Sequence, residues 1–317
     1  MVDYFETLTS GLSVNSFDTE GYLPPPLSNP HISSELRDGL IAFSFFGLLS
    51  VITTFCVLVL IVYGIISQRH DRGRTLIHNQ LLTLIANLFI ADMLEALAGC
   101  ISLHWLRLGK MLAPTAACSI QAILLHMGIL SNGLFVLAIA VITWVHVVWR
   151  ETLRRWLFYS IIGGIWAFAL ILSFEGLIRS PHDFFASIGP CCWISPLHRN
   201  QAIWLLCLWV FGTQTLTILI YTHIFFNLRT QVNHSDARFA ATSRSERGTH
   251  DALRNLAVFP IIFLATSLPL CIAMTMGVAK QYVPLTFEIV AGIMVSWSGW
   301  IDCILYTLTR KKLFFGD

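Results

Sequence analysis

Charge is scarce in this chain. Asp, Glu, Lys and Arg make up 12% of its 317 residues, hydrophobic residues make up 56%, and the mean hydropathy is +0.70. Soluble domains carry roughly 25% charged residues, so this composition excludes one. Lysine is scarcer still: the four present, at 110, 280, 311 and 312, all fall outside the apolar runs. That excludes a retinal protein, which holds its chromophore as a Schiff base on a lysine inside the seventh helix. No zinc-spaced His/Cys cluster, phosphate loop or nucleophile–base set occurs, and His70, His78 and His104 stand alone. Neither an enzyme nor a cofactor is expected. The two halves show no repeat, which counts against a transporter built from inverted repeats. No apolar run follows Met1, so a cleaved signal peptide is not expected either. The one Asn-x-Ser/Thr match, Asn233-His234-Ser235, falls on the side of the membrane where glycosylation does not occur.

What the chain does have is seven long apolar runs, over 39–67, 76–103, 115–148, 153–178, 200–226, 252–278 and 286–309. Each supplies the ~20 residues a helix needs to cross about 30 Å of hydrocarbon. With no water there, the backbone must satisfy its own hydrogen bonds, which selects continuous helices. The expected fold is all-α, a seven-transmembrane helix bundle over 39–309 between a leader (1–38) and a short basic tail (310–317). The net charge of +2 says little, whereas its placement decides the orientation. Six basic residues lie on one side: Arg37, Arg107, Lys110, Arg179, Arg199 and Lys280. The other fourteen lie on the opposite side, including Arg150, Arg154, Arg155 and Arg254. The positive-inside rule then puts the N-terminus outside and the C-terminus inside, in a multi-pass protein of the plasma membrane. Topology accounts for the basic charge, so no nucleic-acid partner is expected.

The leader is acidic around Pro24-Pro25-Pro26 and reads as solvated and mostly disordered, or else as a lid over a ligand. The loop at 228–251 is polar and arginine-rich; phosphate added there, among Arg238, Arg244 and Arg247, would alter coupling. The stretch Arg310 to Phe315 reads as a basic-aromatic turn on anionic lipid. Gly163-Gly164 permits close helix packing but is a weak dimerisation signal. Of eight cysteines, Cys56, Cys100, Cys207, Cys271 and Cys303 fall inside apolar runs and read as small buried hydrophobes. Cys118 sits at the outer end of the third run, and Cys191 and Cys192 sit in the longest outer loop. A bridge from Cys118 to Cys191 or Cys192 would tie that loop over the bundle, with the partner left open.

Polar residues inside the runs are costly there and point to function. Asp92 and Glu95 are three apart and share a helix face. The third run offers Gln121, His126 and Asn132, and the seventh Glu288, Ser298, Asp302 and Tyr306. Carboxylates converging in one interior cannot all stay ionised without a shared proton or a bound cation. The set Asp92, Glu95, Asn132, Ser298, Asp302 and Tyr306 therefore reads as a switch, with a monovalent cation at Asp92 as one form of it. A polar layer that only fixes helix register is the plainer alternative.

These residues also carry a resemblance. Asn87-Leu88-x-x-Ala91-Asp92 resembles the helix-two motif of rhodopsin-like G-protein-coupled receptors. Asp302-Cys303-Ile304-Leu305-Tyr306 is similar to their helix-seven Asn/Asp-Pro-x-x-Tyr, with Cys303 in the proline place. Pro269 matches the helix-six kink proline, and Cys118 the cysteine of the outer-loop bridge. Two departures are plain: Ile142-Thr143-Trp144-Val145-His146 stands where Asp-Arg-Tyr would be, and no tryptophan precedes Pro269. Together with Cys118-x-x-Gln121-Ala122 and Trp300 to Arg310, the pattern is similar to fungal nutrient-sensing and slime-mould cyclic-AMP receptors.

The resemblance implies a receptor that senses an extracellular small molecule and signals through a heterotrimeric G protein, often to cyclic AMP. Gln121, His126, Glu175, Trp204, Glu288 and Trp297 lie in the outer halves of their runs and are the pocket residues expected. Pro260 and Pro269 mark where the sixth helix bends. Arg150, Arg154, Arg155 and Arg254 would form the G-protein face. The competing reading is a seven-helix transporter or ion-conducting protein that uses the intramembrane carboxylates as a relay.

Overall fold

The computed structural model describes residues 21–67, 76–149, 151–235, 258–279, 281 and 283–314. Seven long helices run through them: α1 Ser34–Ser67, α2 Leu76–Leu108, α3 Ala116–Trp144, α4 Arg155–Arg179, α5 Leu208–Ser235, α6 Val258–Val278 and α7 Leu285–Phe314. Six are long and apolar enough to cross a membrane, and α6 adds a shorter apolar stretch, Ile261–Gly277. Hydroxyls inside these helices bond back to carbonyls of the preceding turn, as Ser44 does to Leu40 (2.7 Å) and Thr54 to Ser50 (2.7 Å). That pairing lets Ser and Thr sit in an apolar span without an orphaned donor.

Several helix ends fall beyond the apolar runs. α1 starts at Ser34 rather than at 39, because the Ser33 hydroxyl accepts from the Leu36 amide (3.2 Å) and caps it. Thr115 caps α3 in the same way, through the Cys118 amide. At its far end α7 runs on as helix to Phe314 instead of turning at Arg310. π turns extend α3 (Val145–Trp149) and precede α5 (Ile203–Cys207).

The expectation of an all-α chain misses one element. Residues Phe185–Ile188 (β1) and Cys191–Ile194 (β2) form an antiparallel hairpin in the loop between α4 and α5. Gly189, at φ +51°, makes its turn. The bridge closes between Cys118 and Cys192, with Cα atoms 5.2 Å apart, and leaves Cys191 free. The second half of the leader packs onto this end of the bundle. The Leu23 amide donates to Ala113 O (2.7 Å), Asn29 and Met111 exchange a pair of backbone bonds, and the Ser187 amide donates to Leu27 O (2.9 Å). Leu23 and Leu27 are buried by this packing, which gives the segment an apolar anchor that its proline run and acidic flanks conceal. The leader's first twenty residues lie outside the description.

α3 is the axle: 18 of its 29 residues are buried, against four of 25 in the peripheral α4. Two apolar clusters fill the bundle. One lies toward the hairpin around Trp105, Met111 and Phe184, and the other toward the opposite end around Leu88, Phe89 and Phe135. A polar layer separates them. On α2 it falls between Phe89 and Ala98, on α3 between Leu130 and Phe135, and on α7 between Val295 and Cys303. Gly163 and Gly164 face open space with no neighbouring side chain within 4 Å.

Candidate functional site

At the hairpin end the helices enclose a cavity of about 280 Å³. Its walls come from α1 (Phe43), α3 (Leu125, Ile129), β2 (Trp193), α6 (Leu270, Met274) and α7 (Val295). Glu288, in the first turn of α7, brings a carboxylate to this wall. Its Oε2 lies 2.9 Å from where a side chain on Gly189 would begin, so the turn needs glycine for both its backbone angle and its space. Cys191 lines the same cavity; burial and the neighbouring Glu288 push its thiol up to about 12.

Gln121 fixes the roof. From α3 its Nε2 donates to Ala98 O and Ser102 Oγ (both 3.0 Å), and its Oε1 accepts from Trp105 Nε1 (2.9 Å) and the Cys192 amide (3.1 Å). One buried amide thus joins α2, α3 and β2 with its hydrogen-bonding capacity used. Ser102 in turn donates to Pro190 O (3.2 Å). Gln121 therefore holds the hairpin to α2 and α3.

The other expected pocket residues, Glu288 apart, also have different neighbours. His126 is buried, with Nε2 3.1 Å from Leu205 O in the π turn before α5 and its ring 6.0 Å from Trp193, so it stands behind the wall. Glu175 pairs with Arg179 (2.9 Å), one turn away on α4. Trp204 is 67% exposed, and its carbonyl accepts from Trp209. Trp297 stacks between Phe46 and Trp300, at 5.5 and 5.7 Å, on the α1–α7 seam. Of the six, Glu288 alone is on the cavity wall.

Five of the six expected switch residues, Asp92, Glu95, Asn132, Ser298 and Asp302, lie together in the polar layer. Asn132 Nδ2 donates to Asp92 Oδ1 (2.5 Å), and Ser298 Oγ donates to Glu95 Oε2 (3.3 Å) and Val295 O (2.8 Å). Asp302 is within electrostatic reach of both carboxylates of α2. Asp92, Glu95 and Asp302 are 1%, 3% and 4% exposed, and none has a basic partner among the described residues. One oxygen each of Asp92 and Asp302 has no protein hydrogen-bond partner. Helices come unusually close here. A side chain on Gly128 would begin 2.4 Å from Glu95 Cγ, and one on Gly299 would begin 2.3 Å from Ser50 Oγ. Tyr306 lies one layer further along α7, edge-on to Phe89 at 5.7 Å. Among the described residues no group of three or more His, Cys, Asp or Glu side chains has metal-holding geometry.

At the end opposite the hairpin, where Asp-Arg-Tyr would stand in the receptors this sequence resembles, Trp144 Nε1 donates to His223 Nδ1 of α5 (2.9 Å). Trp149, within the π turn, packs on Trp144 at 5.3 Å. This contact between α3 and α5 was not anticipated, although the Trp-x-x-x-x-Trp spacing at the helix end was visible. Arg154 and Arg155 are exposed nearby at the start of α4, whereas Arg150 and Arg254 lie outside the described residues. Within α6, Pro269 withholds an amide from the ladder. Thr266 and Ser267 bond to carbonyls one turn back, and Gln214 of α5 donates to Ser267 (2.5 Å).

Comparison with known proteins adds to this geometry. The profile of the 7 transmembrane receptor (rhodopsin family) matches residues 57–306. Among solved structures, squid rhodopsin superposes with a TM-score of 0.69 at 14% sequence identity, over 92% of this chain and 89% of that one. At that identity the likeness is one of fold. A search of curated proteins gave no match.

Proposed function

From the premise that this chain belongs to the rhodopsin family of seven-transmembrane receptors, we propose that it senses an extracellular small molecule in the hairpin-end cavity and passes the signal to a heterotrimeric G protein at the opposite end. One observation carries the proposal: α7 serves both sites. Val295 lines the cavity, its carbonyl accepts from Ser298, and Ser298 also bonds Glu95 in the polar layer. From Val295 to Asp302 is about 10 Å at 1.5 Å per residue, so a small rotation of α7 reaches both. A ligand acts only through its differential affinity for two arrangements, and the polar layer supplies two: protonated or cation-filled, and charged.

In this reading the hairpin end faces outward and the basic end faces the cytoplasm of a plasma-membrane receptor, in accord with the distribution of Arg and Lys. The α3 exit, with Trp144 on His223, takes the place of the missing arginine, and Arg154 and Arg155 add charge beside it. A nutrient ligand and a cyclic-AMP output are the narrower part of the proposal; they rest on the Asp92 and Asp302–Tyr306 motifs. The bilayer and the G protein are the partners this requires, and dimerisation is not part of it.

The test is nucleotide exchange on purified heterotrimer by receptor reconstituted in lipid, screened with sugars, amino acids, nucleotides and lipids. Ligand-stimulated exchange is expected, with a change in cyclic AMP in cells. Absence of exchange with every ligand, alongside proton or solute flux in liposomes, would favour the relay reading instead.

A further inference from the structure

We propose that the ligand is an apolar small molecule bearing an amine, and that Glu288 is the group that selects it. This rests on the receptor reading above, since it names the ligand class for the same cavity. The walls are almost wholly aliphatic and aromatic, from Leu125 and Ile129 on α3 to Leu270 and Met274 on α6. A sugar or nucleotide would set most of its hydroxyls or phosphates against walls whose polar side chains are few, Ser195, Arg199, Gln281 and Glu288, and such groups are penalised when left unpaired. An apolar body meets no such penalty.

Two charged residues reach this wall, Arg199 and Glu288. Arg199 already has a partner within the protein. The Glu288 carboxylate has no hydrogen bond or ion pair among the described residues; its neighbours are the Gly189 turn and the Cys191 thiol. Ser195 is also engaged, accepting from the Leu197 amide at 3.3 Å. The one unengaged charge is therefore a carboxylate at the edge of an apolar chamber. Its complement is a cationic head on an apolar body. At about 280 Å³ the chamber suits a molecule near the lower end of the roughly 300–1,000 Å³ range of ligand pockets, which excludes a folded partner.

The experiment measures binding to full-length receptor in lipid nanodiscs. Hexylamine, phenethylamine and tryptamine are each compared with the alcohol of the same body: hexanol, phenethyl alcohol and tryptophol. At least one amine is expected to bind about tenfold or more tighter than its alcohol, and Glu288→Gln is expected to erase that preference while leaving alcohol binding unchanged. Gln keeps the shape of the side chain, and Glu288 holds no structural bond here, so the variant should fold; equal thermal unfolding of the two proteins checks this. Lys280→Gln, which removes a cation outside the described residues, should retain the preference. The proposal is overturned if no amine outbinds its alcohol, or if the preference persists in Glu288→Gln. Amine selectivity without nucleotide exchange would uphold the ligand class and count against the receptor reading. Exchange driven by glucose, with no amine preference, would do the reverse.

Discussion

The cavity and the polar layer are neighbours on α7, yet they are built on opposite principles. The cavity is an apolar chamber with a single unengaged carboxylate at its edge. The layer has three buried carboxyl groups and tight glycine contacts. A chamber with one charge discriminates between molecules, because a ligand must match both its shape and its sign. A packed cluster of like groups discriminates between states, because adding or removing one charge changes which helix arrangement is comfortable. Under the proposed function, selection falls to one region and switching to the other.

If the two regions are separable, damage to one should spare the other. The largest effect is expected from Cys192→Ser, which unties the hairpin from α3 and should cost about 2–5 kcal/mol. Thermal unfolding in detergent should show that loss, and ligand binding should fall with it, whereas Cys191→Ser, which breaks no bridge, should leave the unfolding near wild type. Gly128→Ala comes next: the added methyl group meets Glu95 at 2.4 Å, and such overpacking typically costs about 1–3 kcal/mol. It should raise or lower basal nucleotide exchange without changing which ligands bind. Trp144→Phe should have the smallest effect on stability, about 0.5–1.5 kcal/mol, because it removes one hydrogen bond at the far end. It should alter exchange while leaving both binding and the polar layer intact, which places the α3 exit downstream of each.

The spans were legible because hydrocarbon admits only self-satisfied backbone, so long apolar runs translate directly into helices. The polar layer was legible for a related reason. Asp92 and Glu95 three apart must share a face, and a carboxylate in a membrane span turns inward. Pocket membership was not. α1, α4 and α6 are apolar over most of their surface, so their sequences do not say which face looks inward. Trp204 has the right depth but is exposed, and Glu175 is taken up by Arg179 on its own helix. Gln121 points inward but is consumed by the hairpin. The hairpin itself had a signal: Phe184 to Ile188 and Cys191 to Ile194 are aromatic and β-branched stretches around Gly189-Pro190. In a chain dominated by helices that short signal was easily absorbed into a loop. The bridge partner needed the register of β2, which points Cys192 at α3 and leaves Cys191 at the cavity.

The central claim, that selection and switching sit apart on one helix, is tested most directly by measuring binding and nucleotide exchange together in Asp302→Asn. The account predicts a variant that reaches the membrane and keeps the amine-over-alcohol preference, but whose exchange no longer depends on ligand. Exchange that still follows ligand as in the wild type, or a lost amine preference, would contradict it.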